Sequence, residues 1–192
     1  MNRFSHRSAR ALLCLAAMLS APALDDALAQ LAAHPRTLNV RGVGKIRIDV
    51  PTGYSLDTEV NRAGITVVKL ENPVWHIAVS AGIVPERDPD NTSAAWQDNR
   101  LVGFLADLLA ESDATEYTFA PLNPIVGTGR FCVFTEAETP ASTPDPDDYH
   151  HLTAGIKAWR GVTIIFQILS NDVTSPEYQE VFRLFTHSFE PE

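Results

Sequence analysis

Apolar residues that alternate with polar ones at every second position constrain the fold of this chain more than any other feature. In segment 45–50, a charged residue precedes each of three branched apolar residues, which is typical of a strand with one buried face. Segment 64–70 is rich in β-branched residues, and after an Asn-Pro turn a long alternating face runs from Trp75 to Ile83. We expect these last two segments to pair as a hairpin.

Two other segments repeat apolar residues at every third or fourth position, the period of a helix with one buried face. The first, segment 94–111, follows an N-cap at Thr92 or Ser93. Its apolar positions are Trp96, Leu101, Phe104, Leu105 and Leu108. The second helix begins after an N-cap at Ser175, with Pro176 in the first helical position. Its apolar positions are Tyr178, Val181, Phe182 and Phe185.

Two further hairpins complete the set of predicted elements. Segments 116–121 and 130–135 are predicted strands on either side of a glycine-containing turn. Segments 149–159 and 162–170 flank a short Arg-Gly turn, in which the glycine can adopt a positive φ. The order of strands, helix, strands and helix predicts an α+β domain, in which helices cover a mostly antiparallel β-sheet.

The first 29 residues have the pattern of a secretory signal peptide. Three arginines precede an apolar run over residues 11–23, and small residues offer cleavage after Ala29 or after Ala23. The run holds thirteen residues, whereas a membrane-spanning helix needs about 20, so we expect cleavage and no stable membrane insertion. A lipid anchor at Cys14 is disfavoured because no small residue directly precedes it. The predicted location is the bacterial periplasm or the exterior.

Cleavage would leave residues 30–192 as a single domain, with its core at about 45–189. The whole chain has a formal charge of −9 and the leader a net charge of +1, so the remaining domain carries −10. Nucleic acid and anionic membranes repel such a surface, whereas the charge suits solubility or a protein partner with a basic surface. Cys132 is the only cysteine after residue 29, so the domain is predicted to fold without an internal disulfide.

Four local features occur in an order that is typical of one superfamily. An entry strand runs into Val50-Pro51-Thr52-Gly53-Tyr54, a hairpin spans 65–84, and a long middle helix precedes an aromatic helix that ends in His187-Ser188-Phe189. Over residues 46–189 the chain resembles the PsbP/Mog1-like superfamily. The resemblance implies an α/β/α sandwich and a role in binding other proteins. It transfers no functional residue, because the chain contains no metal or partner motif to match.

One acidic segment contains the residues that we single out for binding. They are Asp145, Asp147, Asp148 and His150. Carboxylates suit a basic protein surface, and together with an imidazole they also suit a divalent metal ion. If a strand begins at these histidines, His150 and His151 point to opposite faces, so only one of them joins the acids. We predict a partner-binding surface here and no cofactor.

The sequence contains no motif of the serine hydrolase, zinc protease or phosphate-binding type. Cys132 lies in a predicted strand, where a thiol is usually a buried apolar group. His76 and Ser80 share a face of the long predicted strand, but about 13 Å separates them, too far for direct proton transfer. We therefore predict an exported, non-catalytic binding or accessory protein, for example an inhibitor or immunity protein. The alternatives are a small-ligand or divalent-metal binding protein, or a hydrolase with an unrecognised site.

Overall fold

A computed structural model of the chain describes residues 13–14, 33–106, 118–135 and 149–192. The strands in these ranges are β1 (Leu13–Cys14), β2 (His34–Val40), β3 (Gly44–Val50), β4 (Ser55–Val60), β5 (Thr66–Asn72), β6 (Ile77–Pro85), β7 (Ala120–Leu122), β8 (Thr128–Thr135), β9 (His151–Trp159), β10 (Val162–Ser170) and β11 (Glu190–Pro191). The helices are α1 (Ala94–Phe104) and α2 (Pro176–His187). Antiparallel sheets with two helices make an α+β fold, which confirms the predicted class.

The strands form two antiparallel sheets. The larger has the order β1-β8-β9-β10-β6-β5-β4, with β7 also paired to β8, and the smaller has the order β11-β3-β2. Direct pairing confirms the three predicted hairpins, β5–β6, β7–β8 and β9–β10. The sequence patterns do not predict the edge strands β2 and β4, because most of their residues are exposed and lack an apolar alternation. Strand β1 falls within the predicted signal peptide, most of which lies outside the described residues.

The turns of two hairpins are determined by single residues. Gly161 lies in the two-residue turn between β9 and β10 and has a φ of 84°, which favours glycine. In the β5–β6 turn, Asn72 Oδ1 accepts hydrogen bonds from the backbone N–H groups of Val74 (2.9 Å) and Trp75 (3.2 Å). Strand β6 begins only at Ile77, so the prediction that Trp75 heads this strand is wrong. The Asn72 turn instead directs the chain out of the sheet at Trp75.

One face of the larger sheet packs against α2 and the smaller sheet, in a core rich in aromatic side chains. The ring of Phe166 stacks on that of Phe185 with centroids 3.7 Å apart, and Phe185 stacks on Phe189 at 5.2 Å. Gly155 lies opposite Phe166 in the sheet, and a Cβ at Gly155 would collide with the Phe166 ring. Glycine at this position therefore makes room for the ring stack.

The opposite face of the sheet packs against α1. Leu101 and Leu105 are buried there against β8 and β9, as predicted. The prediction for Phe104 is wrong, because its side chain is 43% exposed and Gln97 takes the buried position one turn before Leu101. Because Gln97 is polar, the period of the apolar residues does not mark it as a buried position. The last turn of the predicted helix, including Leu108, lies outside the described residues.

Both helices begin at the predicted caps. Ser93 Oγ accepts a hydrogen bond from the backbone N–H of Trp96 at 3.3 Å, and Ser175 Oγ accepts one from Tyr178 at 3.1 Å. The predicted stripe of α2 is also confirmed by burial of its four apolar residues. Neither helix of the described part of the chain is long and apolar enough to cross a membrane.

Candidate partner-binding site

The structure describes one of the four residues predicted to bind a partner. Asp145, Asp147 and Asp148 lie outside the described residues. His150 is exposed just before β9, and its backbone N–H donates a hydrogen bond to Asn171 Oδ1 at 3.0 Å. His151 is half-buried, with its Nδ1 3.0 Å from Thr135 Oγ1. Burial lowers the pKa of His151, and the nearby His150 lowers it further. His150 is thus tied to the connection between β10 and α2.

A cleft of about 170 Å³ opens at this same end of the molecule, between the β5–β6 turn and the start of α2. We call it the Trp75 cleft. It is lined by Trp75, Ile77, Asn171, Asp172, Ser175 and Glu177. Because Asn171 also accepts the hydrogen bond from His150, the predicted binding residue lies next to the cleft. No sequence pattern indicates the cleft, since its two walls come from segments far apart in the chain.

Two buried residues hold Trp75 in place. Asn72 is 4% exposed; besides accepting from the turn amides, its Nδ2 donates a hydrogen bond to Gly53 O at 3.2 Å. The ring of Tyr54 packs against the indole with centroids 6.1 Å apart and planes tilted by 54°. The Trp75 side chain is nevertheless 40% exposed. A fixed but accessible aromatic side chain of this kind is enriched at binding interfaces.

The α2 side of the cleft carries two carboxylates. Asp172 Oδ1 accepts hydrogen bonds from Thr174 N (2.7 Å) and Thr174 Oγ1 (2.6 Å), and these bonds lower the pKa of Asp172. Glu177 lies in the first turn of α2, where the positive end of the helix dipole favours negative charge. Within residues 33–106, 118–135 and 149–192, neither carboxylate forms an ion pair. The cleft therefore has negative charge that is not held in an ion pair with any described residue.

The hydroxyl of Tyr54, whose ring packs against Trp75, is not among the groups that line the cleft. It is buried, and it has no hydrogen-bond partner among the residues that the structure describes. Burial raises the pKa of Tyr54, and the charges of Glu180 and Glu177 raise it further, so the hydroxyl lies within the field of these two groups. Burial and the charge of Glu177 also raise the pKa of Glu180. The start of α2 thus concentrates carboxylates close to an unpaired hydroxyl.

This arrangement can accept a positively charged group. The face of an indole attracts a cation, and carboxylates accept charge-assisted hydrogen bonds from ammonium or guanidinium groups. Ser175 Oγ already accepts the cap bond of α2 and donates to Asp172 O at 3.1 Å, so its hydroxyl has a structural role. In the described part of the chain, no three His, Cys, Asp or Glu side chains are grouped as they would be around a metal ion.

A second, larger cleft of about 320 Å³ lies at the start of α1, at the other end of the sheet. Three of its polar side chains, Gln97, Thr128 and Arg130, already form hydrogen bonds within the protein. Arg130 forms two hydrogen bonds with Asp98, at 2.7 and 3.1 Å. Gln97 Nε2 donates to Thr128 Oγ1 at 2.9 Å, and this hydroxyl donates to Thr92 O at 2.9 Å. Because these groups are satisfied internally, the Trp75 cleft is the better candidate site.

Other chemically notable residues lie outside both clefts. Cys132 is buried in β8, as predicted. His76 lies in the β5–β6 turn with a φ of 49° and Ser80 lies within β6, so the prediction that they share a strand face is wrong. Lys157 is completely buried and donates a hydrogen bond to Ser188 O, the cap of α2, at 2.6 Å. Burial lowers the pKa of Lys157 to about 8, and its position at a helix C-terminus indicates a structural role.

Comparisons with known proteins do not assign the chain to a family. No protein-family model matches it, and no curated protein matches it significantly. The resemblance to PsbP/Mog1-like proteins therefore stays a prediction, and no residue role is taken from a relative. The candidate site rests on the geometry and the charges of the Trp75 cleft.

Proposed function

We propose that this chain is an exported, non-catalytic binding protein that acts through a protein partner with a basic surface. The Trp75 cleft carries the proposal, because it combines an exposed, fixed indole with two carboxylates that lack ion-pair partners among the described residues. The charge of −10 on residues 30–192 has the same sign as the cleft. Opposite charge on a partner would raise the association rate and help to orient the complex.

We also propose that the fold is the α/β/α sandwich of the PsbP/Mog1-like superfamily. Support comes from the positions of the two helices. Alternate residues of β9 face different helices: Leu152 and Ile156 pack in the cluster with Leu101 of α1, whereas Thr153 Oγ1 lies 2.6 Å from Tyr178 Oη of α2. One antiparallel sheet therefore has a helix on each face, as such a sandwich requires.

Export is tested by following the N-terminus of the chain. We expect a C-terminally tagged protein expressed in a bacterium to reach the periplasm and to begin at Gln30 or Leu24, as measured by cell fractionation and intact-mass spectrometry. An uncleaved chain in the cytoplasm would contradict the export part of the proposal. It would leave partner binding by the Trp75 cleft open to its own test.

Partner binding is tested by affinity capture with charge variants of the cleft. The protein is immobilised and exposed to a cell-envelope extract at several salt concentrations. The double variant Asp172→Asn/Glu177→Gln removes two charges while preserving size and the Asp172 turn. Its matched control, Glu86→Gln/Asp90→Asn, removes the same charge from residues that follow the far end of β6. That end lies about 25 Å along the strand from the cleft.

We expect the wild-type protein and the control variant to retain the same protein, and the cleft variant to lose it. Retention should weaken as salt rises, because salt screens attraction between exposed charges. If the wild-type protein enriches nothing over empty beads at any salt concentration, the proposed function is wrong. If both double variants lose the protein equally, the contact depends on overall charge, and the cleft is not the binding site.

A further inference from the structure

The volume of the Trp75 cleft limits what it can hold. About 170 Å³ is many times the ~10–15 Å³ that a single water needs, but it is less than the ~300 Å³ at which pockets for drug-sized ligands begin. The cleft is also open between an exposed turn and the first turn of a helix. These dimensions suit one long side chain inserted from a partner, and they do not suit an enclosed small-molecule ligand.

The lining of the cleft selects the chemistry of that side chain. Trp75 and Ile77 provide an apolar and aromatic surface, whereas Asp172 and Glu177 provide negative charge. Lysine and arginine have a long aliphatic stem that covers apolar surface and a cationic end that remains polar. A purely apolar side chain would cover the carboxylates without replacing their hydrogen bonds to water, which is unfavourable. An acidic side chain would be repelled.

Tyr54 provides a further polar group beside the cleft. Tyr54 is 9% exposed, and its hydroxyl lacks a hydrogen-bond partner among the described residues. The Tyr54 ring packs against Trp75, and the charge of Glu177, which lines the cleft, raises the pKa of the Tyr54 hydroxyl. A buried polar atom without a partner is unfavourable. The N–H groups of an ammonium or guanidinium ion are donors without acceptor capacity, and they complement a site that is rich in acceptors.

We propose that the Trp75 cleft binds a lysine or arginine side chain of the basic partner, with the stem against Trp75 and the cation beside Asp172 and Glu177. The inference rests on the proposed function, because the partner supplies this side chain. Trp75 supplies the aromatic surface for a cation–π contact, and the two carboxylates supply the charge.

In the experiment, the purified protein is titrated with three capped amino acids, and the indole N–H signals are monitored by NMR. The probes are the Nα-acetyl N-methylamides of lysine, arginine and norleucine; norleucine has an aliphatic stem without the charge. The signal of Trp75 is assigned by its loss in Trp75→Phe. We expect a saturable shift of this signal with lysine or arginine and none with norleucine.

The charge variants complete the test. Asp172→Asn/Glu177→Gln should weaken the binding of the cationic probes by about tenfold or more, while Glu86→Gln/Asp90→Asn should leave it unchanged. Equal shifts with norleucine, or equal affinity in the cleft variant, would overturn the inference. Capture of a partner without any cation-specific shift would also overturn it and leave the proposed function standing. Cation binding without any captured protein would support the assigned chemistry and count against the proposed function.

Discussion

The two faces of the larger sheet are held against their helices by different kinds of interaction. On the α2 face, the rings of Phe166 and Phe185 are completely buried and stack on one another. On the α1 face, a buried polar group holds the start of the helix: Asn91 Nδ2 donates to Trp159 O at 2.8 Å and to Val162 O at 3.1 Å. Apolar burial depends on the size and pattern of the side chains, whereas each buried polar contact is lost when either of its two partners is removed. Substitutions on the two faces should therefore destabilise the protein for different reasons.

The largest effect is expected on the α2 face. Phe185→Ala should lower the free energy of unfolding by about 3–5 kcal/mol, because it removes a buried ring and leaves a cavity between Phe166 and Phe189. Phe104→Ala on α1 is the matched control and should cost less than about 1 kcal/mol, since this ring is 43% exposed. Urea unfolding measures both values. Similar losses in the two variants would show that the faces do not differ in this way.

On the α1 face, the largest loss should come from a polar residue. Asn91→Ala should lower the free energy of unfolding by about 2–3 kcal/mol, because it leaves the carbonyl groups of Trp159 and Val162 without the Asn91 donor. The control is Asn39→Ala in the exposed edge strand β2, where we expect a change within about 0.5 kcal/mol. If Asn91→Ala is as well tolerated as Asn39→Ala, the polar network does not hold this face.

The buried amine of Lys157 makes the α2 face sensitive to pH. Its pKa is about 8 in the folded protein and about 10.4 in an unfolded chain, so the unfolded state holds more protons between these values. The free energy of unfolding should therefore rise by on the order of 2 kcal/mol from pH 8 to pH 10 through this group. The raised pKa values of Tyr54 and Tyr178 begin to oppose this rise as the pH approaches 10.

Lys157→Met should remove this rise, whereas Lys45→Met, at an exposed position, should preserve it. Urea unfolding at a series of pH values from 7 to 10 makes the measurement. Parallel pH dependence in the Lys157→Met variant and the wild-type protein would mean that Lys157 does not keep a lowered pKa in the folded state.

The smallest effect concerns the ion pair of the α1 face. Asp98→Asn weakens the paired hydrogen bonds to Arg130, and we expect a loss of about 1 kcal/mol, because both side chains are partly exposed. The control, Glu59→Gln, weakens the more exposed pair with Lys69 and should cost less than about 0.5 kcal/mol. Chemical unfolding at low and high salt measures both. A loss as large as that of Asn91→Ala would indicate that charge, not the Asn91 network, dominates this face.

Most elements of the fold could be predicted because their causes are local. The hairpins depend on apolar alternation and on turn residues such as Gly161, and the caps of both helices depend on Ser93 and Ser175. The predictions for Trp75 and Phe104 are wrong because polar side chains decide those positions: the Asn72 side chain accepts hydrogen bonds from Val74 and Trp75, and Gln97 takes the buried position on α1. Asn72 ends strand β5 and bonds to Gly53, and buried Gln97 bonds to Thr128 of β8, so neither effect is visible in a hydrophobic period.

The candidate site was accessible to sequence reasoning only in part. The prediction singles out His150, which the structure places next to Asn171 and so beside the Trp75 cleft. Trp75 itself is predicted as a strand residue, and Asp172 is not singled out. The Asn-Pro turn before Trp75 and the cap at Ser175 are separate local signals, and no pattern in the sequence shows that they lie side by side. The antiparallel pairing of β6 with β10 brings them together.

By itself, the sequence determines the strands of the three hairpins, the two helices with their N-caps, and the net negative charge. Each of these depends on residue type and short-range spacing. The tertiary structure alone decides which side chains meet. It buries Lys157 at the end of α2, leaves Trp75 exposed on a fixed turn, and collects carboxylates from one helix start beside that turn. Contacts between distant segments depend on how the sheet orders its strands, and hydrophobic periodicity contains no information about that order.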